Sequence, residues 1–291
     1  MAPYSIKNLG GKLELTENQV ALRGLSGETL GGKWSADFTA GTQPGNPASP
    51  VELKAHFQMT QIDAAQAVHL RYPDPPAGID GKLNLEVVMA GDAQTWEELP
   101  AATTGQFVMT ATGGKMRLVL PKKDMISNAL IIGGTFTFSK ELRALGRFVK
   151  TLENLPVDQI RATGNLAKDG KLQIQTVTLD SPQLKLTAIG EVANAKTRDL
   201  MGEPLQVNAS LSASGDIAVM LGGMNLLQKD AQGGFQKMKE PFLINGNLGQ
   251  PNLQPLYDML ARAVDSSHGT WGMLMRKVEA MVPKAAPKPA S

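Results

Sequence analysis

Three histidines and no cysteine limit the chemistry open to this 291-residue chain. His56, His69 and His268 are far apart in sequence and none belongs to an HExxH-type pair, so a His-based metal site is not expected. Without cysteine there is no thiol nucleophile, zinc ribbon, iron–sulfur cluster or disulfide framework. The segment Gly27-Glu28-Thr29-Leu30-Gly31-Gly32-Lys33-Trp34 has the GxxxxGK frame of a phosphate-binding loop. Trp34 stands where a magnesium-binding Ser or Thr belongs, so the segment reads as a Gly-Gly turn leading into a strand. Ser26, in Gly24-Leu25-Ser26-Gly27, lacks the spacing of a nucleophile elbow. Glu97, Glu98 and Asp63 read as solvated surface. A carboxylate pair brought together only by the fold stays open, because glycosidase-type pairs leave no local signature. No catalytic residue, metal or cofactor is therefore expected.

The elements that would hold any site are strands. Leu13 and Leu15 alternate with polar neighbours, as do Trp34, Ala36 and Phe38. The same holds for Val51, Leu53, Ala55, Phe57 and Met59, for Leu83, Leu85, Val87 and Met89, and for Phe107 with Met109. Leu172 with Ile174, Leu184 with Leu186, and Val207 with Leu211 continue the pattern. Successive strand side chains point to opposite faces, so this alternation predicts antiparallel strands with one apolar and one wet face. The chain carries 30 Gly and 18 Pro against only 5% aromatics, which fits many turns and short strands.

Turns are expected at Leu9-Gly10-Gly11-Lys12, Thr29-Leu30-Gly31-Gly32, Asp80-Gly81-Lys82, Thr112-Gly113-Gly114-Lys115 and Lys168-Asp169-Gly170-Lys171. Asp80-Gly81 and Asp169-Gly170 carry the strongest hairpin signal. Residues 41–50 read as a longer loop and 72–76 as a rigid extended connector. Helical spacing marks 124–132 and 139–152, and 217–229 is ambiguous because Gly222-Gly223 interrupts it. After Pro255 come two short helices within 256–282, the second carrying Trp271, Leu274, Met275 and Val278 on one stripe. Residues 283–291 read as a disordered Pro/Ala/Lys tail. A Gly-Lys-Leu unit recurs near Gly11, Gly81 and Gly170, as expected of meander units laid side by side.

Charge and hydropathy narrow the function classes. There are 29 basic and 27 acidic residues, and the basic ones are dispersed, which argues against a nucleic-acid partner. No apolar run reaches the roughly 18 residues needed to cross a bilayer. Residues 1–4 carry no basic segment followed by an apolar run, so no signal peptide is visible. The apolar face mixes Met59, Met89, Met109 and Met116 with Phe38, Phe57 and Phe107, out of 14 Met in the chain. Methionine suits adaptable apolar surfaces. Two readings follow: a closed sandwich core in which Met fills gaps, or an open groove that binds acyl chains.

The stretch from Gly164 to Gln254 resembles the C-terminal region of the AsmA-like family of bacterial envelope proteins. The resemblance rests on Gly164-Asn165-Leu166, on Gly170-Lys171-Leu172-Gln173-Ile174, and on Thr178-Leu179-Asp180-Ser181-Pro182. It continues through Leu184 to Gly190, Val207 to Ser212 and Pro241 to Pro251. Leu13 to Ala65 and the entry Pro76-Ala77-Gly78-Ile79-Asp80-Gly81 look similar too.

The resemblance implies a mainly β fold: a long curved antiparallel β-sheet groove of meander units over residues 1–255, with a few short helices including the C-terminal pair. It implies a non-enzymatic protein that binds phospholipid and moves it between inner and outer membranes. Its place would be the periplasm, held to the inner membrane by an N-terminal segment absent from this chain. Partners would be phospholipid, the inner-membrane surface and outer-membrane assembly proteins. The groove would be lined by Trp34, Phe38, Phe57, Met59, Leu83, Leu85, Val87, Met89, Phe107 and Met109. Trp271, Leu274, Met275 and Val278 would either cap the open end of the sheet or lie on an anionic bilayer surface. Two other functions stay open: a structural or interaction protein of outer-membrane protein assembly without lipid, and a hydrolase with a fold-assembled carboxylate pair.

Overall fold

A computed structural model describes residues 5–42, 49–71, 80–116, 151, 154–197, 199–252 and 255. The fold is mainly β: one antiparallel meander sheet of 14 strands with a few short helices, not closed into a barrel. The strands are β1 (Lys7–Leu15), β2 (Gln19–Thr29), β3 (Gly32–Gly41), β4 (Val51–Asp63), β5 (Lys82–Ala93), β6 (Thr104–Met116) and β7 (Leu155–Leu166). They continue as β8 (Leu172–Asp180), β9 (Leu184–Val192), β10 (Leu205–Ala213), β11 (Leu227–Gln232), β12 (Phe235–Met238), β13 (Phe242–Asn247) and β14 (Gln250–Asn252). From β1 to β10 each strand pairs with the next in sequence. The outer edge of β10 is then shared: β12 pairs with its end at Ser212 and Ala213, and β13 with Val207 to Ala209.

Local chemistry explains the connections. β2 and β3 are joined by the two residues Leu30 and Gly31, at φ 50° and 70°. That is the left-handed pair a tight hairpin turn requires. The β7–β8 loop turns at Gly170, at φ 88°, and the Asp169 carboxylate accepts from the Lys171 amide. Three expected turns lie elsewhere. Gly10-Gly11 falls inside β1, where the register against β2 shifts, and Gly113-Gly114 falls inside β6, which runs on against β7 to Met116. A glycine within a strand makes a bulge or a close backbone approach as readily as a turn, and pairing with β2 and with β7 carries these two strands on past their glycines. Asp80-Gly81 closes the long connection between the paired strands β4 and β5, where the Ala64 amide donates to the Gly81 carbonyl, rather than forming a two-residue hairpin turn.

That connection begins with α1 (Ala64–Arg71), which the alternation pattern did not announce. The Asp63 carboxylate accepts from the Gln66 amide at 3.0 Å, an N-cap that stops β4 and starts the helix. α2 (Leu99–Ala102) packs against β4 and β5 and buries Leu99. The ambiguous stretch 217–229 divides: α3 (Gly215–Gly223) ends at the Gly-Gly pair and β11 follows. The expected helices at 124–132 and 139–152 (except Thr151, which is helical), the loop tip at 43–48, the connector at 72–76, the C-terminal pair within 256–282 and the tail at 283–291 lie outside the described residues.

Candidate functional site

Register decides which side chains share a face, because directly opposed residues of antiparallel strands point the same way. Trp34 of β3 stands opposite Met59, Met59 opposite Leu85, and Leu85 opposite Met109. The row continues through Ala162, Val177, Ala188 and Ala209 to Phe242 of β13. A second row runs Leu25, Ala36, Phe57, Val87, Phe107, Gly164, Ile174, Gly190, Val207 and Ile244. A third runs Leu13, Leu22, Phe38, Ala55, Met89, Gly105, Leu166, Leu172, Val192 and Leu205. A fourth joins Ile62, Leu83, Ala111, Ile160, Leu179, Leu186 and Leu211. All ten residues singled out on β3 to β6 therefore occupy one face, in four adjacent rows. With strands about 4.8 Å apart, a row crossing ten strands is about 43 Å long.

Three register slips keep the face apolar where simple alternation fails, one of them placing Ile174 and Val177 of β8 in adjacent rows. Between Met59 and Ile62 the register slips by one residue, and Gln61 takes φ 58°. Its amide donates to the Asn84 carboxamide oxygen on β5 at 2.8 Å. The slip returns Ile62 to the face of Met59, where it is almost fully buried. The same device sits between Leu22 and Leu25, where Gly24 takes φ 59° and donates to the Asp37 carboxylate at 2.8 Å. Strict period-two reading missed Ile62, Leu22 and Leu25. The one-residue offset, with an Asn or Asp at the facing position of the next strand, is the signal it lacked.

In the second row large residues and glycines alternate from Phe107 through Gly164, Ile174 and Gly190 to Val207, and in the third Gly105 lies between Met89 and Leu166. A Cβ added to Gly164 would lie 2.5 Å from Phe107 Cε1, and one added to Gly105 would lie 2.9 Å from Met89 Cγ. The bulky side chains of β5 and β6 lean over the glycines of the neighbouring strand.

Coverage divides the face in two. Over β7 to β10 it packs into a core with Ile217, Met220 and Leu221 of α3 and with Met224, Leu227, Met238 and Phe242. Over β3 to β6 the ten large side chains are half-buried, and full burial is confined to the flanks at Ala40, Val51 and Ile62. Trp271, Leu274, Met275 and Val278 lie outside the described residues.

The opposite face is polar. Ser35, Gln58, Glu86, Val108, Thr163 and Thr176 form one row, and Asp37, His56, Val88, Gln106, Asn165 and Gln173 the next. His56 Nε2 lies 2.9 Å from Glu86 Oε1, and Gln58 donates to the same oxygen at 3.3 Å. The His56 hydrogen bond first, then that of Gln58, holds the Glu86 carboxyl below its ordinary range. Hydrogen bonds from Lys12 and then Arg23 do the same for Glu14. Glu52 and Asp92 stand directly opposite on β4 and β5, the kind of juxtaposition a fold-assembled acid–base pair needs. Both lie on the wet face, and Glu52 is tied to Lys54 at 3.0 Å. Lys196 lies at the sheet margin, donating to the carbonyls of Ala101 and Lys168, and burial pushes its amine below the ordinary lysine value.

A depression of about 660 Å³ opens at the β2–β3 turn, lined by Ser5, Lys7, Glu28, Lys33, Thr60 and Gln66 among others. It encloses part of the GxxxxGK segment, which is the hairpin turn between β2 and β3. Among the described residues no three His, Asp or Glu side chains gather as metal ligands, and no helix is long and apolar enough to cross a membrane. No protein-family model, curated protein or solved structure matches this chain.

Proposed function

We propose that this chain is a non-enzymatic lipid-binding protein of the bacterial envelope. In this reading the half-buried apolar face of β3 to β6 is the floor of a groove that takes phospholipid acyl chains, with head groups left at its open side. The observation that carries it is the continuity of the apolar rows. Ten large side chains from four strands meet on one face without a polar residue among them, and the rows run on over β7 to β10. An acyl chain on such a face exchanges water-exposed hydrocarbon for protein contact at about 0.8 kcal/mol per methylene. Across β3 to β6 the rows are uninterrupted, so a lipid can shift from strand to strand there without crossing a charge, and movement over that part of the face is diffusion. The resemblance to AsmA-like proteins supports the same reading and extends it to phospholipid exchange between inner and outer membranes in the periplasm.

Native mass spectrometry of protein purified in mild detergent tests the reading, together with titration of a fluorescent phospholipid. Co-purifying phospholipid and saturable binding are expected. Protein that carries no lipid and binds none refutes it.

A further inference from the structure

Strand β1 borders the sheet, and among the described residues it pairs only with β2. Leu9, Leu13 and Leu15 of β1, with Ile6 just before it, are 65%, 58%, 66% and 56% exposed. A border strand with unpaired backbone groups is a template for strand addition unless its charges repel the incoming strand, and those of β1, Lys12 and Glu14, are of opposite sign. We propose that β1 pairs antiparallel with β1 of a second copy of this chain, about a two-fold axis at Leu13.

The register follows from three constraints. Only Lys12 to Leu15 pair regularly with β2, since the register shifts on both sides of Gly10. Opposed residues must share a face, so Leu13, in the row of Leu22 and Phe38, must meet an apolar residue. Charges must be complementary. Centring the pair on Leu13 satisfies all three. Leu13 faces Leu13, Leu15 faces the side-chain-free Gly11, and Lys12 faces Glu14 of the second copy twice over, which extends the Lys12–Glu14 pair at 2.7 Å within each strand into a network across the axis. Shifting the axis by two residues either way loses the charge pairing, shifting it by one residue sets Lys12 against Lys12 or Glu14 against Glu14, and shifting it by half a residue mixes the faces. Two copies joined in this way form one sheet whose third apolar row is continuous from Met89 of one copy to Met89 of the other. The pairing stands independently of lipid binding; the doubled track depends on it.

Analytical ultracentrifugation of the whole chain across micromolar to submillimolar concentrations tests the proposal. The wild type is expected to dimerise as concentration rises. Lys12→Glu and Glu14→Lys each set like charges opposite one another across the axis, and each is expected to raise the dimer dissociation constant roughly tenfold. An equimolar mixture of the two variants restores both opposite-charge pairs and is expected to associate as the wild type does. A wild type that stays monomeric overturns the proposal, and so does a mixture no more associated than its components. Amide exchange on the wild type adds a readout free of substitutions. Protection at residues 12–15 should rise with concentration, and unchanged protection speaks against the pairing. Both charged residues lie on the polar face, so fluorescent-lipid binding measured on the same variants separates failure of the dimer from failure of the lipid reading.

Discussion

Replacing Val87 with Glu puts a carboxylate in the middle of the second apolar row, between Phe57 and Phe107 across strands and between Leu85 and Met89 along β5. Val87 is half-buried, so the fold loses only part of a valine's burial, about 1 kcal/mol. For a chain of this size that lowers the melting temperature by about 2–4 °C. A bound acyl chain loses more. A solvated carboxylate holds water where three or four methylenes would lie, and at about 0.8 kcal/mol per methylene the loss is about 3 kcal/mol. That corresponds to a roughly 100-fold weaker dissociation constant. The neighbouring residue is the control. Val88 points to the polar face, in the row of His56 and Gln106, and is 36% exposed. Val88→Glu should therefore bind lipid as the wild type does. The assay is titration of a fluorescent phospholipid against each variant, with circular dichroism to confirm the fold. If Val87→Glu binds within about threefold of wild type, or Val88→Glu is equally impaired, the assignment of the apolar face as the lipid site is refuted.

Other substitutions test the fold that presents the face. Gly164→Val should destabilise the chain by about 2–3 kcal/mol in urea unfolding, because its Cβ meets Phe107 Cε1 at 2.5 Å and the Gln173 carbonyl more closely still. Leu30→Asn should stabilise by about 1 kcal/mol, since φ 50° is costly for leucine and natural for asparagine before Gly31, while the carbonyl that accepts from the Asp63 amide is kept. The Glu86 carboxyl is held below its ordinary value, chiefly by the His56 hydrogen bond. Its contribution is therefore present above the ordinary carboxylate range and is lost as pH falls through the folded-state value. Urea midpoints at neutral and acid pH should show a shallower acid-side decline for Glu86→Gln than for the wild type.

Much of the candidate face was legible before folding. Parity along a strand is a local property, so the side to which Leu83, Leu85, Val87 and Met89 point follows from their spacing alone. What defeated local reading was any residue whose conformation its neighbours choose. Gln61 enters the left-handed region because Asn84, more than twenty positions away, accepts its amide. Gly11 and Gly113 resemble turn glycines, yet pairing with β2 and with β7 holds them within strands. α1 carries too little apolar patterning to announce itself, and it forms where Asp63 caps its first turn.

The sequence alone determined the antiparallel strands, the two-faced character of each, and the scarcity of groups able to do covalent or metal chemistry. Alternation and composition are enough for these, because they depend on the chain's own period and inventory. The meander order was expected from the recurring Gly-Lys-Leu unit, but only the tertiary structure set the register by which the separate apolar faces merge into rows. It also decided that α3 covers the face over β7 to β10 while Trp34, Phe57, Val87 and Phe107 remain half-buried. Register and coverage depend on contacts between segments far apart in the chain, and no local period encodes them.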